Sequence, residues 1–184
     1  EKGLGIAYVF LAGADGALRL WNASNGAKVA SHELDHGELL KVTFAPNGER
    51  LATASKDGFV GLWNGRTGAQ VAMWRAHSRA VVSVAFSNDG RLISANGDQV
   101  NGQEPAAHLW DARTGRSLLE LRDANARRCH EVGVRRAVFS TAGNFVATAG
   151  EKGGCLWNAW TGAFLKRFDG HRQEGTPEDI FYDI

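Results

Sequence analysis

Phe59-Val60-Gly61-Leu62-Trp63-Asn64-Gly65-Arg66-Thr67-Gly68 is a short apolar run that closes on Trp-Asn and turns through Thr-Gly. The same pattern returns as Trp21-Asn22 with Asn25-Gly26, Trp110-Asp111 with Thr114-Gly115, and Trp157-Asn158 with Thr161-Gly162. The four tryptophans are spaced by 42, 47 and 47 residues. A fixed period of this size marks an array of supersecondary units, none of which can bury its apolar face without neighbours.

Working outward from Trp63, the unit resolves into four strands. Leu39-Leu40-Lys41-Val42-Thr43-Phe44 leads to a turn at Pro46-Asn47-Gly48, and Leu51-Ala52-Thr53-Ala54 leads to Lys56-Asp57-Gly58. Phe59 to Trp63 follows, and Gln70-Val71-Ala72-Met73-Trp74 comes after the Thr-Gly turn. Apolar runs of period two, split by Asn-Gly and Asp-Gly, are the strongest short-range signal for hairpins. The unit is predicted to be an antiparallel meander. The third unit repeats it with Val81-Val82-Ser83-Val84-Ala85-Phe86, Leu92-Ile93-Ser94-Ala95, His108-Leu109-Trp110 and Ser117 to Leu121. The fourth repeats it with Ala137-Val138-Phe139, Phe145-Val146-Ala147-Thr148, Leu156-Trp157 and Ala163 to Phe168. No helix of ordinary length is predicted.

Composition agrees with a packed chain: 184 residues, 43% hydrophobic, with 23 glycines and 3 prolines. The net charge of +1 gives no global bias toward nucleic acid or an anionic membrane. No apolar run approaches the roughly 18 residues of a membrane helix, and the start lacks the pattern of a secretion signal. Cys129 and Cys155 are too few for a disulfide framework or a paired-thiolate zinc motif, so free thiols in a reducing, cytoplasmic setting are expected. The Cys129-His130 pair is a poor metal site without a distant third ligand. Neither a phosphate-cradling Gly-x-x-x-x-Gly-Lys loop nor a Gly-x-Ser-x-Gly elbow occurs.

These residues resemble the WD-repeat β-propeller family, whose pattern runs from a Gly-His pair through an apolar strand and an Asp-Gly turn to a closing Trp-Asp. The histidine stands here in Asp35-His36, Ala76-His77, Cys129-His130 and Gly170-His171. The resemblance covers nearly the whole chain. It implies an all-β propeller of about four blades, each a four-stranded antiparallel sheet. It also implies a polar tetrad in each blade, in which Asp, His, Ser or Thr, and Trp are linked. Carried over, the second blade has His36, Thr53 (or Ser55), Asp57 and Trp63, and the third has His77, Ser94, Asp98 and Trp110. The first pairs Asp15 with Trp21 but has Leu11 in place of the hydroxyl. The fourth has His130, Thr148 and Trp157 but Glu151 or Lys152 in place of Asp, and His171 follows it. His, Ser and Asp recurring at one place in every sheet describe a blade clamp and not a hydrolytic triad, so no enzymatic activity and no cofactor are expected.

The expected blades are residues 1–35, 36–76, 77–122 and 130–170, the first completed by a C-terminal strand at 178–184 or by another chain. Three assemblies stay open: part of a longer array, an eight-bladed ring of two copies, or a closed four-bladed monomer. All follow from the need to cover each sheet face and pair each edge strand.

In this family the His-bearing connections and the Asp-bearing turns open on one face, and both sizeable insertions fall there. One is Gln99 to Ala107, including Gln103 and Glu104; the other is Arg122 to Cys129. The second, with Arg135 and Arg136, groups Arg122, Arg127, Arg128, Arg135 and Arg136 into a candidate anion clamp, or else a solvated loop. Glu38 and Lys56, with Ser78, Ala80, Glu131 and Gly133, occupy the remaining positions of family contacts. Trp74 is expected on an outer strand beside the next blade, and Trp160 in a turn on the opposite face. The resemblance thus implies a non-catalytic platform for a protein or peptide, with no nucleic-acid or membrane partner. Alternatives are a regulatory propeller segment of a larger enzyme or switch ATPase, and a self-assembling half-propeller.

Overall fold

The alternation that ends at each tryptophan becomes backbone pairing. The computed structural model of the protein describes residues 8–97, 105, 107–122, 133–151 and 153–169, and all regular structure among them is β-strand. The first sheet orders β1 (Tyr8–Ala12), β2 (Ala17–Asn22) and β3 (Lys28–Glu33) side by side. The second contains β4 (Leu39–Phe44), β5 (Arg50–Ser55), β6 (Phe59–Asn64) and β7 (Gln70–Arg75). The third contains β8 (Val81–Phe86), β9 (Arg91–Asn96), β10 (Ala107–Asp111) and β11 (Ser117–Leu121). The fourth contains β12 (Arg136–Phe139), β13 (Phe145–Gly150), β14 (Gly153–Asn158) and β15 (Phe164–Asp169). Every sheet is an antiparallel meander in chain order. The first has three strands, and residues 178–184, expected to complete it, lie outside the described residues.

Local chemistry explains the turns. After Trp63, Trp110 and Trp157, the Asn or Asp side chain accepts backbone N–H groups two and three residues on: Asn64 Oδ1 from Arg66 and Thr67, Asp111 Oδ1 from Arg113 and Thr114, and Asn158 Oδ1 from Trp160 and Thr161; after Trp21, Asn22 Oδ1 accepts from Ser24. Such a side chain mimics a backbone turn, and the glycine that follows supplies the positive φ. At Asp57-Gly58, the glycine has φ 97, and a Cβ there would stand 2.2 Å from the carbonyl oxygen of His77. The tryptophan itself breaks the ladder. Register shifts fall at Leu20/Trp21, Leu62/Trp63, Leu109/Trp110 and Leu156/Trp157, and a bulge of this kind bends and twists the strand that carries it.

The core lies between sheets. One apolar cluster joins the first and second sheets around Leu18, Leu20, Leu51 and Trp63. A second joins the next pair around Ala52, Val60, Leu92 and Trp110, and a third joins the last pair around Ile93, Leu109, Val146 and Trp157. Each of these tryptophans therefore faces the preceding sheet. β5 and β9 are buried along nearly their whole length because sheets cover both of their faces. The first strands of the four-stranded sheets adjoin one another, with β8 packed between β4 and β12. Ser83 accepts the backbone N–H of Ala137 at 3.1 Å across the β8–β12 contact. This stacking of small sheets about their first strands is the arrangement of propeller blades.

One expectation is corrected. Cys155, buried in the cluster between the third and fourth sheets, is disulfide-bonded, and no free cysteine is present among the described residues. The sequence holds one other cysteine, Cys129, outside the described residues. Spacing along the chain carries no information about which thiols meet in space, and the argument for a reducing compartment loses its premise.

Candidate protein-interaction surface

The recurring polar groups hold sheets together. Trp63 Nε1 donates to Thr53 Oγ1 at 3.0 Å, Trp110 Nε1 to Ser94 Oγ at 2.9 Å, and Trp157 Nε1 to Thr148 Oγ1 at 2.8 Å. In the third sheet, His77 Nε2 also lies 2.9 Å from Ser94 Oγ, while Asp98 is outside the described residues. In the second sheet the set divides. Ser55 donates to Asp57 at 2.5 Å, and His36 stacks on Phe59 with Nδ1 3.6 Å from Asp57, so Ser55 and Thr53 serve separate partners. In the first sheet, the indole N–H of Trp21 is buried without an acceptor among the described residues. Asp15 there accepts from Arg19 at 2.6 Å and from the Ala17 N–H, and the guanidinium hydrogen bond holds its carboxyl below the usual range. In the fourth sheet, Glu151 pairs with Arg135, while His130, Lys152 and His171 are outside the described residues.

Thr53→Val tests this division of labour. It keeps the shape and removes the acceptor, leaving a fully buried indole N–H unpaired, so denaturant unfolding is expected to lose about 1–3 kcal/mol. An unchanged midpoint would assign no stabilising role to the bond.

Strand direction gathers the long connections at one end of the sheets. β4, β6, β8, β10 and β12 begin there, and β5, β7, β9 and β11 end there. The segments between β9 and β10 and between β11 and β12, which contain the two insertions, accordingly leave from this end, as do Glu38, Lys56, Arg122 and Arg135. Charges here are already matched: Lys56 with Glu38 at 3.1 Å, Arg122 with Glu120 at 2.6 Å, and Arg135 with Glu151. The Arg122 guanidinium keeps the Glu120 carboxyl below its ordinary value. These pairs are exposed and individually worth little, so an incoming carboxylate or phosphate displaces them at small cost. Arg136 opens β12, whereas Gln103, Glu104, Arg127 and Arg128 lie outside the described residues.

The opposite end holds a group that the sequence reading missed. The Arg91 side chain, 9% exposed, donates to both oxygens of Asp89 and reaches across to the fourth sheet. There Nη1 donates to the carbonyl of Ala159 and Nη2 to that of Gly143, each at 2.5 Å. The ring of Trp160 lies over the guanidinium at 4.0 Å, and its Nε1 donates to Asn144. Trp160 is thus exposed yet fixed. Its pair with Arg91 and the Ser87 hydroxyl hold the Asp89 carboxyl below its ordinary range against the effect of burial. Asp89-Gly90-Arg91 and Trp160 stood in the sequence, but only at this junction do the facing positions supply carboxylate, carbonyls and ring together. Trp74 lies against the next sheet, its ring 5.3 Å from Trp110.

Among the described residues no group of His, Cys, Asp and Glu is arranged to hold a metal, and no helix is long and apolar enough to cross a membrane. The family model described as WD domain, G-beta repeat, matches residues 28–64 and 68–100, that is, β3 through β6 and β7 through β9. No curated protein matches the chain. Repeats of this kind generally build non-catalytic scaffolds for protein–protein interaction. The matched residues are WD repeats, and the tryptophan period and four meander sheets packed face to face carry the same build through the other described residues.

Proposed function

We propose that the protein is a rigid, non-catalytic platform that captures a protein or peptide on the end of the sheets bearing the two long connections. The observation that carries this reading is that the strand ends from which both connections leave lie at the same end of the sheets as the exposed pairs Lys56–Glu38 and Arg135–Glu151. The buried Ser, Thr and Trp groups are meanwhile committed to cohesion within the sheets. Long loops on a rigid scaffold are favourable carriers of recognition. The arginines suit an acidic segment, whose carboxylates would take over from Glu120 and Glu151.

Replacing residues 99–106 and 122–129 with short Gly-Ser turns, which leaves the buried Ala107 of β10 in place, is expected to weaken partner capture by at least about tenfold while the β-sheet circular dichroism persists. Because Cys129 lies in the second segment, a C129S/C155S variant is the control for the lost thiol. Undiminished capture by the doubly shortened protein would place the binding face elsewhere.

A further inference from the structure

Two places after the Asn or Asp of each Thr-Gly turn stand Arg66, Arg113 and Trp160, in the second, third and fourth sheets respectively. The Asn or Asp side chain binds the backbone N–H of all three, so the turn fixes where each side chain begins. Arg66 and Arg113 are exposed even though the third and fourth sheets are packed after them. This position therefore points out along the end of the stack and not toward the next sheet. Trp160, 61% exposed, stands at the same position, and its contacts, the Arg91 guanidinium and Asn144, belong to the third sheet and to its own.

The surface between these positions is tied together. Gly65, Ala112 and Ala159 each donate a backbone N–H to the first turn of their own sheet, at the carbonyls of Glu49, Gly90 and Asn144. Beside the Arg91 clasp, Asn88 Nδ2 reaches the Thr141 carbonyl of the fourth sheet at 3.0 Å. At this end the third and fourth sheets connect their strands only through the short turns 87–90, 112–116, 140–144 and 159–163, all described residues. Charge on this surface is unevenly committed. Arg66, Arg113 and Arg116 are exposed, and their guanidinium groups form no ion pair with a described residue. The carboxylates are engaged: Asp89 by Arg91 and Ser87, Asp111 by the N–H groups of Arg113 and Thr114, and Glu49 by the Asn47 amide.

We infer that this end of the sheets, around Trp160 and Arg113, binds an acidic peptide segment that carries an apolar or aromatic side chain, separately from the surface at the other end. Trp160 is the anchor. Its backbone N–H, its indole N–H and one side of its ring are already held, so little side-chain order remains to be acquired on binding. A guanidinium already lies 4.0 Å over the ring, so the remaining surface of the indole suits an apolar or aromatic group better than a second cation. The uncommitted arginines on the neighbouring turns offer paired donors to carboxylates. A nucleic-acid strand fits this surface less well, because its evenly spaced phosphates would meet Asp89, Asp111 and Glu49 along with the arginines.

The test selects binders from a displayed library of random decapeptides on the immobilised full chain, then measures the enriched peptides, synthesised with a fluorescent label, by anisotropy. Enrichment of Asp and Glu around an apolar or aromatic residue is expected. Trp160→Ala is expected to raise the dissociation constant by about thirtyfold, as for an interface aromatic anchor, and Arg113→Glu by about tenfold with a reduced dependence on salt. The protein with residues 99–106 and 122–129 shortened is expected to bind these peptides as the wild type does, so failure here is distinguishable from failure of the binding face proposed at the other end. Arg113→Glu and Arg66→Glu, at exposed turn positions, carry the test if circular dichroism shows that Trp160→Ala loses its fold. A selection that yields no acidic sequence overturns the inference. So do peptides that bind the Trp160 and arginine variants as tightly as the wild type, peptides lost with the shortened connections, or an oligothymidylate held more tightly than any peptide.

Discussion

Arg91→Ala is expected to destabilise the protein by about 3–5 kcal/mol, the range for removing one member of a buried, hydrogen-bonded charge pair. The truncation strands Asp89 and leaves the carbonyls of Gly143 and Ala159 without the donors that now reach them. It also removes the plane on which Trp160 rests. Asp89 is partly open to solvent, with its side chain 36% exposed, and can recover water, which favours the lower end of that range. Arg50 is the internal control. It opens β5 as Arg91 opens β9, but Gly48 stands where Asp89 would be, and its one hydrogen bond goes to the adjacent Glu49 carbonyl. Arg50 is half-buried, but no cross-sheet acceptor depends on it, and Arg50→Ala is expected to cost less than about 1 kcal/mol. Arg91→Lys keeps the charge without the planar fork and is expected to recover only part of the loss. Equal denaturation midpoints for the two alanine variants would remove the cross-sheet clasp as a source of stability.

Trp63→Ala carries the other large effect, about 3–5 kcal/mol for an aromatic deleted from a core. Trp63 is fully buried, packs on His32, Leu18 and Leu20, and bonds Thr53. Its loss empties one junction and leaves the next two intact, and in a stack of repeats stability is close to a sum of units and nearest-neighbour contacts. Unfolding is therefore expected to separate into two steps, with release of the first sheet preceding loss of the other three. Fluorescence and circular dichroism would then give different midpoints. Trp21→Ala, where the tryptophan is only half-buried, is expected to cost less than half as much. A single coincident transition in Trp63→Ala would mean that the sheets are coupled more tightly than neighbour contacts allow.

The strands were legible because their causes are local. Alternation from Leu39 to Phe44 and the turn chemistry of Asp57-Gly58 or Asn64 with Thr67-Gly68 act within a few residues, so strand positions and the repeat follow without knowledge of neighbours. The candidate surface was legible in part, since strand direction alone brings the connections after β9 and β11 to the end that carries Lys56 and Arg135. The matched state of Arg122 and Arg135 was not, because Glu120 and Glu151 recruit them only once strands and turns are placed. Thr53 and Ser55, equivalent by eye and on one face of β5, divide between Trp63 and Asp57 because they stand at different points along the strand, Thr53 opposite Gly61 and Ser55 at the strand end beside the Asp57 turn.

From sequence alone came the period, the meander and the tryptophan at each strand end, all consequences of side-chain alternation and backbone preference within a single unit. The tertiary structure decided what crosses between units: Arg91 clasped and Arg50 not, Cys155 in a disulfide and Trp160 fixed over the Arg91 guanidinium. The physical reason is that a side chain on a sheet face owes its environment to residues some forty positions away on the next sheet, and repetition fixes that those residues will face it without fixing what they are.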